Sequence, residues 1–204
     1  HSSQNEQDNR YYAKAAKIAM VEPSDSQECL DFMKAAFDIS EQFNIPVLYR
    51  TTTRVSHSKS LVATGDRTEQ EFPEYKRDIR HRVCIPAFAY MNHPEVEERL
   101  KKLEEYGNPG PLNRVEMNGT KIGVVTASIA YQHAKEVFPE DASFLKLGLT
   151  FPLPMKLIKD FASKVDKLYV IEELEPFMED QMTAAGIECV GKEFTGKMYE
   201  LTPP

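Results

Sequence analysis

Residues 121–193 alternate between short apolar runs and amphipathic segments, and this alternation constrains the fold more than any other feature of the sequence. KIGVVTA, which opens the series, is a near-continuous apolar run of the kind buried on both faces of a parallel sheet. The segments that follow predict helix, strand, helix, strand, helix and strand in turn: SIAYQHAKEVF, SFLKLGL, PMKLIKDFASKV, KLYVIEEL, PFMEDQMTAAG and IECVGKE. Four strands with three intervening helices predict an α/β fold, in which helices cover a small parallel sheet.

The first quarter of the chain carries the same signals in fewer copies. Residues 9–19 predict a short helix capped by Asp8, whose carboxylate can accept free N–H groups of the first turn. A capping box, Ser24-x-x-Gln27, then begins a longer helix with a wide apolar face. The β-rich run IPVLYRTTT follows as a strand. A helix that leads into a buried strand is half of an α/β unit.

The middle of the chain lacks this regularity. Residues 63–92 mix prolines, a glycine and charges, and we expect them to form an extended surface connector. A helix is predicted after it, with Pro94 at the first position and Gly107 as the stop. Its Glu–Lys pairs at i,i+4 spacing are typical of a solvated face.

Charge and cysteine content exclude several classes of function. The 204 residues carry a formal charge of −7 with Lys and Arg scattered among Asp and Glu, so a nucleic-acid partner is not expected. No apolar run is long enough for a membrane span, which favours a cytoplasmic protein without a membrane partner. Three widely separated cysteines and five histidines without HxxxH or HExxH spacing favour reduced thiols and disfavour a metal site.

Ligands of parallel α/β sheets bind beyond the carboxyl ends of the strands. Residues 126–128, residues 148–152, Glu172 and Glu173 therefore lie where a site would be built. These turns carry no glycine-rich phosphate cradle. The alternative interpretation is that Ser128 caps its helix and that the two glutamates form a solvated strand end, pointing to opposite faces.

Two polar segments are further candidates. RTTTRVSHSKS, residues 50–60, places hydroxyls, two arginines and His57 after a strand, which suits either an anionic ligand or a polar edge and turn. HSSQNEQDNR, residues 1–10, is denser still in short polar side chains, and composition alone favours a solvated tail or the remnant of a purification tag.

A family resemblance changes this weighting. The chain closely resembles, in the same order along nearly its whole length, the large (alpha) subunit of indolepyruvate:ferredoxin oxidoreductases, which depend on thiamine diphosphate. The stretches that carry the resemblance are HSSQNEQDNRYYAKAAKIAMVEPSDSQE, IPVLYRTTTRVSHSKSLV, PLNRV, KIGVVTASIAYQ, FPLP and VDKLYVIEELEPFMEDQM. The resemblance covers an internal part of that subunit and makes a tag remnant improbable.

The resemblance implies a division of the chain into three parts. Residues 1–66 correspond to the C-terminal half of a thiamine pyrimidine-binding domain, and residues 67–114 to a connector with one helix. Residues 115–204 correspond to a transketolase C-terminal-like domain, a three-layer α/β unit with a parallel sheet. The resemblance places a polar loop near the thiamine site, and its candidate cofactor-binding residues are His1, Ser2, Ser3, Gln4, Asn5, Glu6 and Asp8.

The family activity is the oxidative decarboxylation of aryl pyruvates to aryl-acetyl-CoA, with ferredoxin as electron acceptor. The resemblance implies thiamine diphosphate and 4Fe–4S clusters in the full enzyme, with none expected on this chain alone, which we expect to be inactive. It implies as partners the remaining domains, the small (beta) subunit, ferredoxin, coenzyme A and an aryl pyruvate. The glutamate that activates the aminopyrimidine has no match here, so no catalytic residue is assigned. A pyruvate or branched-chain relative and a non-catalytic dimerisation module remain the alternatives.

Overall fold

The computed structural model describes residues 6–67, 69, 74–108 and 110–203. The helices among these residues are α1 (Arg10–Ala16), α2 (Ser26–Phe43), α3 (Thr53–His57), α4 (Ile79–Arg82), α5 (Pro86–Tyr106), α6 (Ser128–Val137), α7 (Met155–Ala162), α8 (Phe177–Ala184) and α9 (Lys192–Thr195). The strands are β1 (Ala19–Val21), β2 (Val47–Tyr49), β3 (Arg114–Glu116), β4 (Ile122–Ala127), β5 (Ser143–Leu147), β6 (Leu149–Phe151) and β7 (Lys167–Ile171). Within the described ranges, no helix combines the length and the apolarity needed to cross a membrane.

The larger sheet contains the alternating segments of the sequence, in the order β3-β5-β4-β7. β4 lies at its centre and pairs in parallel with β5 and β7, while β3 adds to β5 as an antiparallel edge. The predicted fourth strand at residues 187–193 is wrong, because only one bridge forms there, between Tyr169 and Val190. The chain turns away directly after that bridge, since Glu179 accepts a hydrogen bond from the N–H of Lys192 at 2.8 Å and α9 begins.

A smaller sheet has the order β2-β1-β6. β1 pairs in parallel with β2, as expected for an α/β unit, but β6 comes from more than a hundred residues later and pairs antiparallel. The helix predicted over residues 9–19 is shorter in the structure. Lys17 adopts a left-handed conformation with φ of 54°, which ends α1 before β1. The predicted single strand SFLKLGL is likewise divided, with β5 in one sheet and β6 in the other.

Gly148 is the residue at which the chain passes from one sheet to the other. Its N–H donates to the side chain of Asn113 at 2.9 Å, and its carbonyl accepts the N–H of Glu22 at 2.8 Å. A Cβ at this position would lie 2.4 Å from the carbonyl oxygen of Leu112 and 2.6 Å from the ring of Phe32. The close approach of two segments therefore requires a glycine here.

The two sheets share one hydrophobic core. Ala13 and Met20 from the first part of the chain pack in the same buried cluster as Leu145, Phe161 and Phe177 from the second part. A neighbouring cluster joins α2 and β1 to α5 and β6. The burial of these apolar side chains links the two parts of the chain.

Two helix starts differ from the sequence prediction. Asp25, and not Ser24, is the N-cap of α2, because its carboxylate accepts the N–H of Glu28 at 2.9 Å. Ser24 instead donates its N–H and its hydroxyl to the Glu28 carboxylate, each at 2.8 Å. The cap is thus shifted by one residue, and the Glu28 carboxylate binds the residue before the cap and not the cap residue itself.

The helix predicted to start at Pro94 begins eight residues earlier, at Pro86. Pro86 occupies the first helical position, where a missing N–H costs nothing, and Pro94 is tolerated inside the helix. Gly107 follows the helix as predicted. The expected extended connector therefore contains a single turn, α4, and the first two turns of α5.

We expect Gly148→Ala to lower the free energy of unfolding by about 1–3 kcal/mol, because the added methyl group overpacks a junction walled partly by backbone. Urea unfolding measures the change. Gly65→Ala is the matched control, since nothing lies within 4 Å of a Cβ there, and it should change stability by less than about 0.5 kcal/mol. Equal effects of the two substitutions would contradict the close approach at Gly148.

Candidate functional site

Four polar side chains that directly follow strands meet in one cleft. Glu22 follows β1, Arg50 follows β2, Ser128 follows β4 and Glu172 follows β7. The residues lining the cleft are Arg10, Glu22, Arg50, Ala127, Ser128, Ala130, Glu172, Glu173 and Met178. The site thus lies at the carboxyl ends of strands, where the α/β pattern predicts it, and both sheets contribute to it.

The guanidinium of Arg10 is the centre of the cleft. Its Nε donates to both carboxylate oxygens of Asp8, at 2.8 and 3.1 Å, and Nη1 donates to Glu172 at 2.5 Å. Nη2 donates to the backbone carbonyls of Glu173 and Glu175, at 2.7 and 2.9 Å. The side chain is only 5% exposed, and its neighbours Asp8 and Glu172 raise its pKa further against the opposing effect of burial. Arg10 is therefore a permanently charged cation between two buried carboxylates, and each of its three guanidinium nitrogens donates a hydrogen bond.

Glu172 is buried, which corrects the interpretation of a solvated strand end. Its carboxylate accepts N–H groups of Met178 and Glu179 at 3.0 Å, in the first turn of α8, and thereby caps that helix from a distance. Burial raises the pKa of the Glu172 carboxyl, while Arg10 and the two N–H groups act in the opposite direction. The ammonium of Lys192 donates to the Glu172 carbonyl. Glu172 thus connects β7, α8 and α1.

Glu173 also lines the cleft, but its carboxylate has a different partner. Its carboxylate is half-buried and accepts the N–H of Leu201 at 3.1 Å. Burial raises the pKa of the Glu173 carboxyl. The two adjacent carboxylates thus bind different groups, Glu172 those of α8 and Arg10, and Glu173 the N–H of Leu201.

A second ion pair lies beside the first. Arg50 Nη1 binds the carboxylate of Glu22, and Arg50 Nε donates to the side chain of Asn9 at 2.6 Å. The Glu22 side chain is 2% exposed, so this pair is also largely withdrawn from water. Asn9 directly precedes Arg10, at the N-cap position of α1, so the two ion pairs hold the same stretch of chain from both sides.

Arg50 is the one residue of the hydroxyl-rich segment 50–60 that lines the cleft in the described part of the chain. Arg54 instead pairs at the surface with Glu200, and His57 is exposed at the end of α3. The segment therefore reaches the site only through Arg50, which precedes the short helix α3, and does not form a continuous ligand-binding loop.

Ser128 does not cap α6, contrary to the alternative interpretation. Ala127 is the N-cap, and Ser128 adopts a left-handed conformation with φ of 52° while its hydroxyl donates to the carbonyl of Pro23 at 3.2 Å. Ser128 is only 5% exposed. The left-handed conformation costs a non-glycine residue about 1–3 kcal/mol, and such residues are concentrated at functional sites. The turn fixes the end of β4 against the segment that precedes α2.

The predicted polar loop is only partly within the described residues. Asp8 turns inward to Arg10 with 2% of its side chain exposed, and its carboxylate also accepts the Arg10 N–H at 3.1 Å. Glu6 accepts the N–H of Tyr199 at 2.9 Å, so the loop also contacts the last residues of the chain. The other candidates lie outside the described residues: His1, Ser2, Ser3, Gln4 and Asn5.

Residues 148–152, also predicted to lie at a site, instead form β6 and its flanks and do not line the described cleft. Sequence reasoning missed Arg10 and Glu22. Arg10 lies in a helix whose one other charged residue, Lys14, is exposed. Glu22 follows a strand of three residues that is too short to show a period. The one available signal was the apolar triplet AMV followed directly by a glutamate.

We expect Arg10→Ala to destabilise the chain by about 3–5 kcal/mol, because it leaves two buried carboxylates without their cation. Arg10→Lys keeps the charge but loses the planar fork, and should cost less. Urea unfolding of both variants beside Lys14→Ala, on the exposed face of the same helix, measures the effect. A loss below about 1 kcal/mol for Arg10→Ala would mean that the network adds nothing to stability.

Asp8 gives stability a dependence on acid pH. Burial by itself raises the pKa of Asp8, but its hydrogen bond and ion pair with Arg10 outweigh burial, and the pKa falls below the ordinary value of 3.8. A carboxyl of lowered pKa stabilises the folded state above the unfolded pKa and loses that contribution as the pH falls through the folded pKa. The difference in unfolding free energy between the parent and Asp8→Asn should therefore shrink below about pH 4. A difference that stays constant in acid would contradict this assignment.

Comparison with known proteins places the chain beside subunits of 2-oxoacid oxidoreductases. It is 39% identical to the indolepyruvate oxidoreductase subunit IorA of Archaeoglobus fulgidus, over 97% of this chain and 33% of that subunit. IorA of Methanothermobacter thermautotrophicus is also 39% identical, over 99% of this chain and 34% of the subunit. The 2-oxoglutarate synthase subunit KorA of Methanothermobacter marburgensis is 23% identical over 84% of this chain and 57% of that subunit. The chain spans about a third of the length of the IorA relatives.

A solved structure shares the fold. The 2-oxoglutarate:ferredoxin oxidoreductase from Magnetococcus marinus, with 2-oxoglutarate, coenzyme A and succinyl-CoA bound, matches with a TM-score of 0.61 and 11% identity. The match covers 91% of this chain and 41% of that chain, and confirms the predicted α/β fold with parallel strands. No protein-family model matches the chain. Over the third of the subunit that it spans, the chain belongs by sequence to the large-subunit family of indolepyruvate oxidoreductases.

Proposed function

We propose that this chain is an internal segment of the large subunit of a 2-oxoacid:ferredoxin oxidoreductase that decarboxylates indolepyruvate and related aryl pyruvates oxidatively to their CoA esters. The observation that carries the proposal is the 39% identity to IorA subunits across 97–99% of the chain. The fold match to a 2-oxoglutarate:ferredoxin oxidoreductase supports the reaction class. The segment itself supplies structure to the site and is inactive on its own.

The three-part division of the chain belongs to the same proposal. Residues 1–66 form half of a thiamine pyrimidine-binding domain, 67–114 a connector and 115–204 a transketolase C-terminal-like domain. The parallel pair β1–β2 with α2, and the sheet built on β4, supply the α/β units that this division needs. β6 pairs with β1, so the third part would complete the sheet of the first.

The described residues do not by themselves fit thiamine diphosphate. The cleft's carboxylates and cations are already engaged with one another or with backbone groups: Glu22 with Arg50, Glu172 with Arg10, and Glu173 with Leu201. The glutamate expected to activate the aminopyrimidine has no match in the chain. We therefore derive no catalytic step through the cofactor, whose chemistry when bound is that of an electron sink.

Under this proposal, the chain positions a loop that lines the thiamine pocket. The loop of His1 to Asp8 would line the thiamine pocket, and its anchor is the Asp8–Arg10 pair described above. Because Arg10 also binds Glu172 and two carbonyls after β7, the loop is fixed to the second sheet and not only to its own helix. A group that is held rigidly loses less entropy when a cofactor binds.

The partners and cofactors of the whole enzyme are proposed from the same family. They are thiamine diphosphate, 4Fe–4S clusters on segments outside this chain, the small subunit, ferredoxin, coenzyme A and the aryl pyruvate. The three free thiols, Cys29, Cys84 and Cys189, are consistent with a cytoplasmic location. A related enzyme for another 2-oxoacid is the second candidate, supported by the 23% identity to KorA.

The test is activity of the full-length subunit purified anaerobically with its small subunit. With thiamine diphosphate, coenzyme A and ferredoxin, indolepyruvate should give faster ferredoxin reduction than pyruvate or 2-oxoglutarate. A preference for one of the latter two substrates would select the second candidate. If no 2-oxoacid is decarboxylated in the presence of thiamine diphosphate, both assignments fail and a dimerisation module remains.

Replacing the four polar loop residues Gln4, Asn5, Glu6 and Asp8 by alanine in that enzyme should lower turnover or the affinity for thiamine diphosphate, because the pocket wall loses its donors and acceptors. Steady-state kinetics and titration of the apoenzyme measure the two effects. Lys14→Ala is the control. Kinetics equal to those of the parent would reduce the loop to a structural role.

A further inference from the structure

Residues 74–92, here called the arm, expose an unusual number of large apolar side chains. Tyr75 and Tyr90 are 85% and 84% exposed. Four more apolar side chains of the arm are between 43% and 49% exposed: Ile79, Val83, Ile85 and Met91. Single exposed apolar residues need no explanation, but a concentration within one short segment is typical of an interaction surface.

The arm is held by local bonds alone. Asn92 donates to the carbonyl of Arg80, and both Arg80 and His81 contact the carboxylate of Glu95. Apart from the backbone hydrogen bonds within α5, the hydrogen bonds and ion pairs of the arm that the described residues show do not reach beyond Glu95. Attachment to the body begins further along α5, where Glu97 binds Lys17 and Leu103 is fully buried. Within the described residues, Tyr75 and Tyr90 are therefore almost uncovered, and the other four apolar side chains of the arm keep nearly half of their surface exposed.

The arm is also basic, in a chain of net charge −7. KRDIRHR, residues 76–82, carries four Lys and Arg residues against a single aspartate. Arg80 pairs with Glu95, whereas Lys76, Arg77 and Arg82 have no ion-pair partner in the described part of the chain and are exposed. Apolar side chains flanked by cations favour a partner surface with an apolar centre and carboxylates at its rim.

We propose that the arm docks onto the remainder of the full-length subunit, on a surface with an apolar centre and carboxylates at its rim. This inference rests on the proposed function, because it takes the chain to be about a third of a longer subunit, as the relatives indicate. Two thirds of that subunit then lie outside the structure and are available as the occupant. The arm also lies between the two proposed domains in sequence, where a further domain can contact both.

A second copy of this chain suits the arm less well. In a twofold dimer the same patch meets itself, so the exposed cations Lys76, Arg77 and Arg82 of one copy would approach those of the other. Like charges that face each other across an interface oppose association. The carboxylate rim must therefore come from a different surface.

Cys84 provides a probe within the arm, since its thiol is exposed whereas those of Cys29 and Cys189 are partly buried. In the native full-length subunit, with its small subunit, we expect Cys84 to react with a maleimide at least tenfold more slowly than after denaturation, and no faster than Cys29. Peptide mass spectrometry resolves the three thiols. The protection should not change when the protein is diluted a hundredfold.

The double variant Arg77→Glu and Arg82→Glu should restore the reactivity of Cys84, because carboxylates would then face carboxylates. Lys101→Glu with Lys164→Glu makes the same change of charge on exposed residues outside the arm and should leave Cys84 protected. If the arm variant does not fold, hydrogen exchange of residues 79–91 in the parent subunit replaces it, and slow exchange is the supporting result.

A Cys84 that reacts at the rate of a free thiol in the parent subunit would overturn the proposal. Protection that disappears on dilution would assign the arm to a second copy and would overturn it as well. The failure of the proposed function is separate: it is read from the 2-oxoacid assay. An active enzyme with a reactive Cys84 rejects only the docking of the arm.

Discussion

The buried guanidinium of Arg10 is the interaction on which the arrangement of the cleft depends. It binds a carboxylate from its own loop, a carboxylate from the end of β7 and two carbonyls beyond that strand. A charge in such a place is tolerated only when it is fully paired, so each partner constrains the position of the others. Glu172 extends the same constraint to α8 by accepting its first N–H groups. The packing of α1 against the larger sheet is therefore specified by charge as well as by apolar contact.

How far the sequence could predict this depended on the range of the signal. β4, β7 and the helices between them follow from local periodicity, because a strand buried on both faces and an amphipathic helix each leave a pattern in ten residues or fewer. The family resemblance was also available in the sequence, and the IorA relatives confirm it. The carboxyl-end rule placed Ser128 and Glu172 in the cleft.

Features that arise from contacts between distant segments could not be predicted in this way. Glu172 was open to interpretation as a solvated residue because its cation lies 162 residues away. The division of SFLKLGL at Gly148 depends on Leu112 and Phe32, and neither position is marked in the local pattern. The arm was expected to be an extended connector since Pro94 offered a helix start as good as the real one at Pro86. For Glu172 and Gly148 the local pattern allowed two outcomes, and a contact between distant segments decided between them.

The pairing of β6 with β1 has a consequence for the order in which the chain acquires its structure. Met20 lies opposite Phe151, so during synthesis β1 waits for about 130 further residues before its second neighbour exists. At about 5–20 residues per second this interval lasts roughly ten seconds, during which one side of β1 lacks its strand partner. An unpaired strand edge is a site of aggregation. Until β6 is synthesised, the free edge of β1 is therefore open to pairing with other chains.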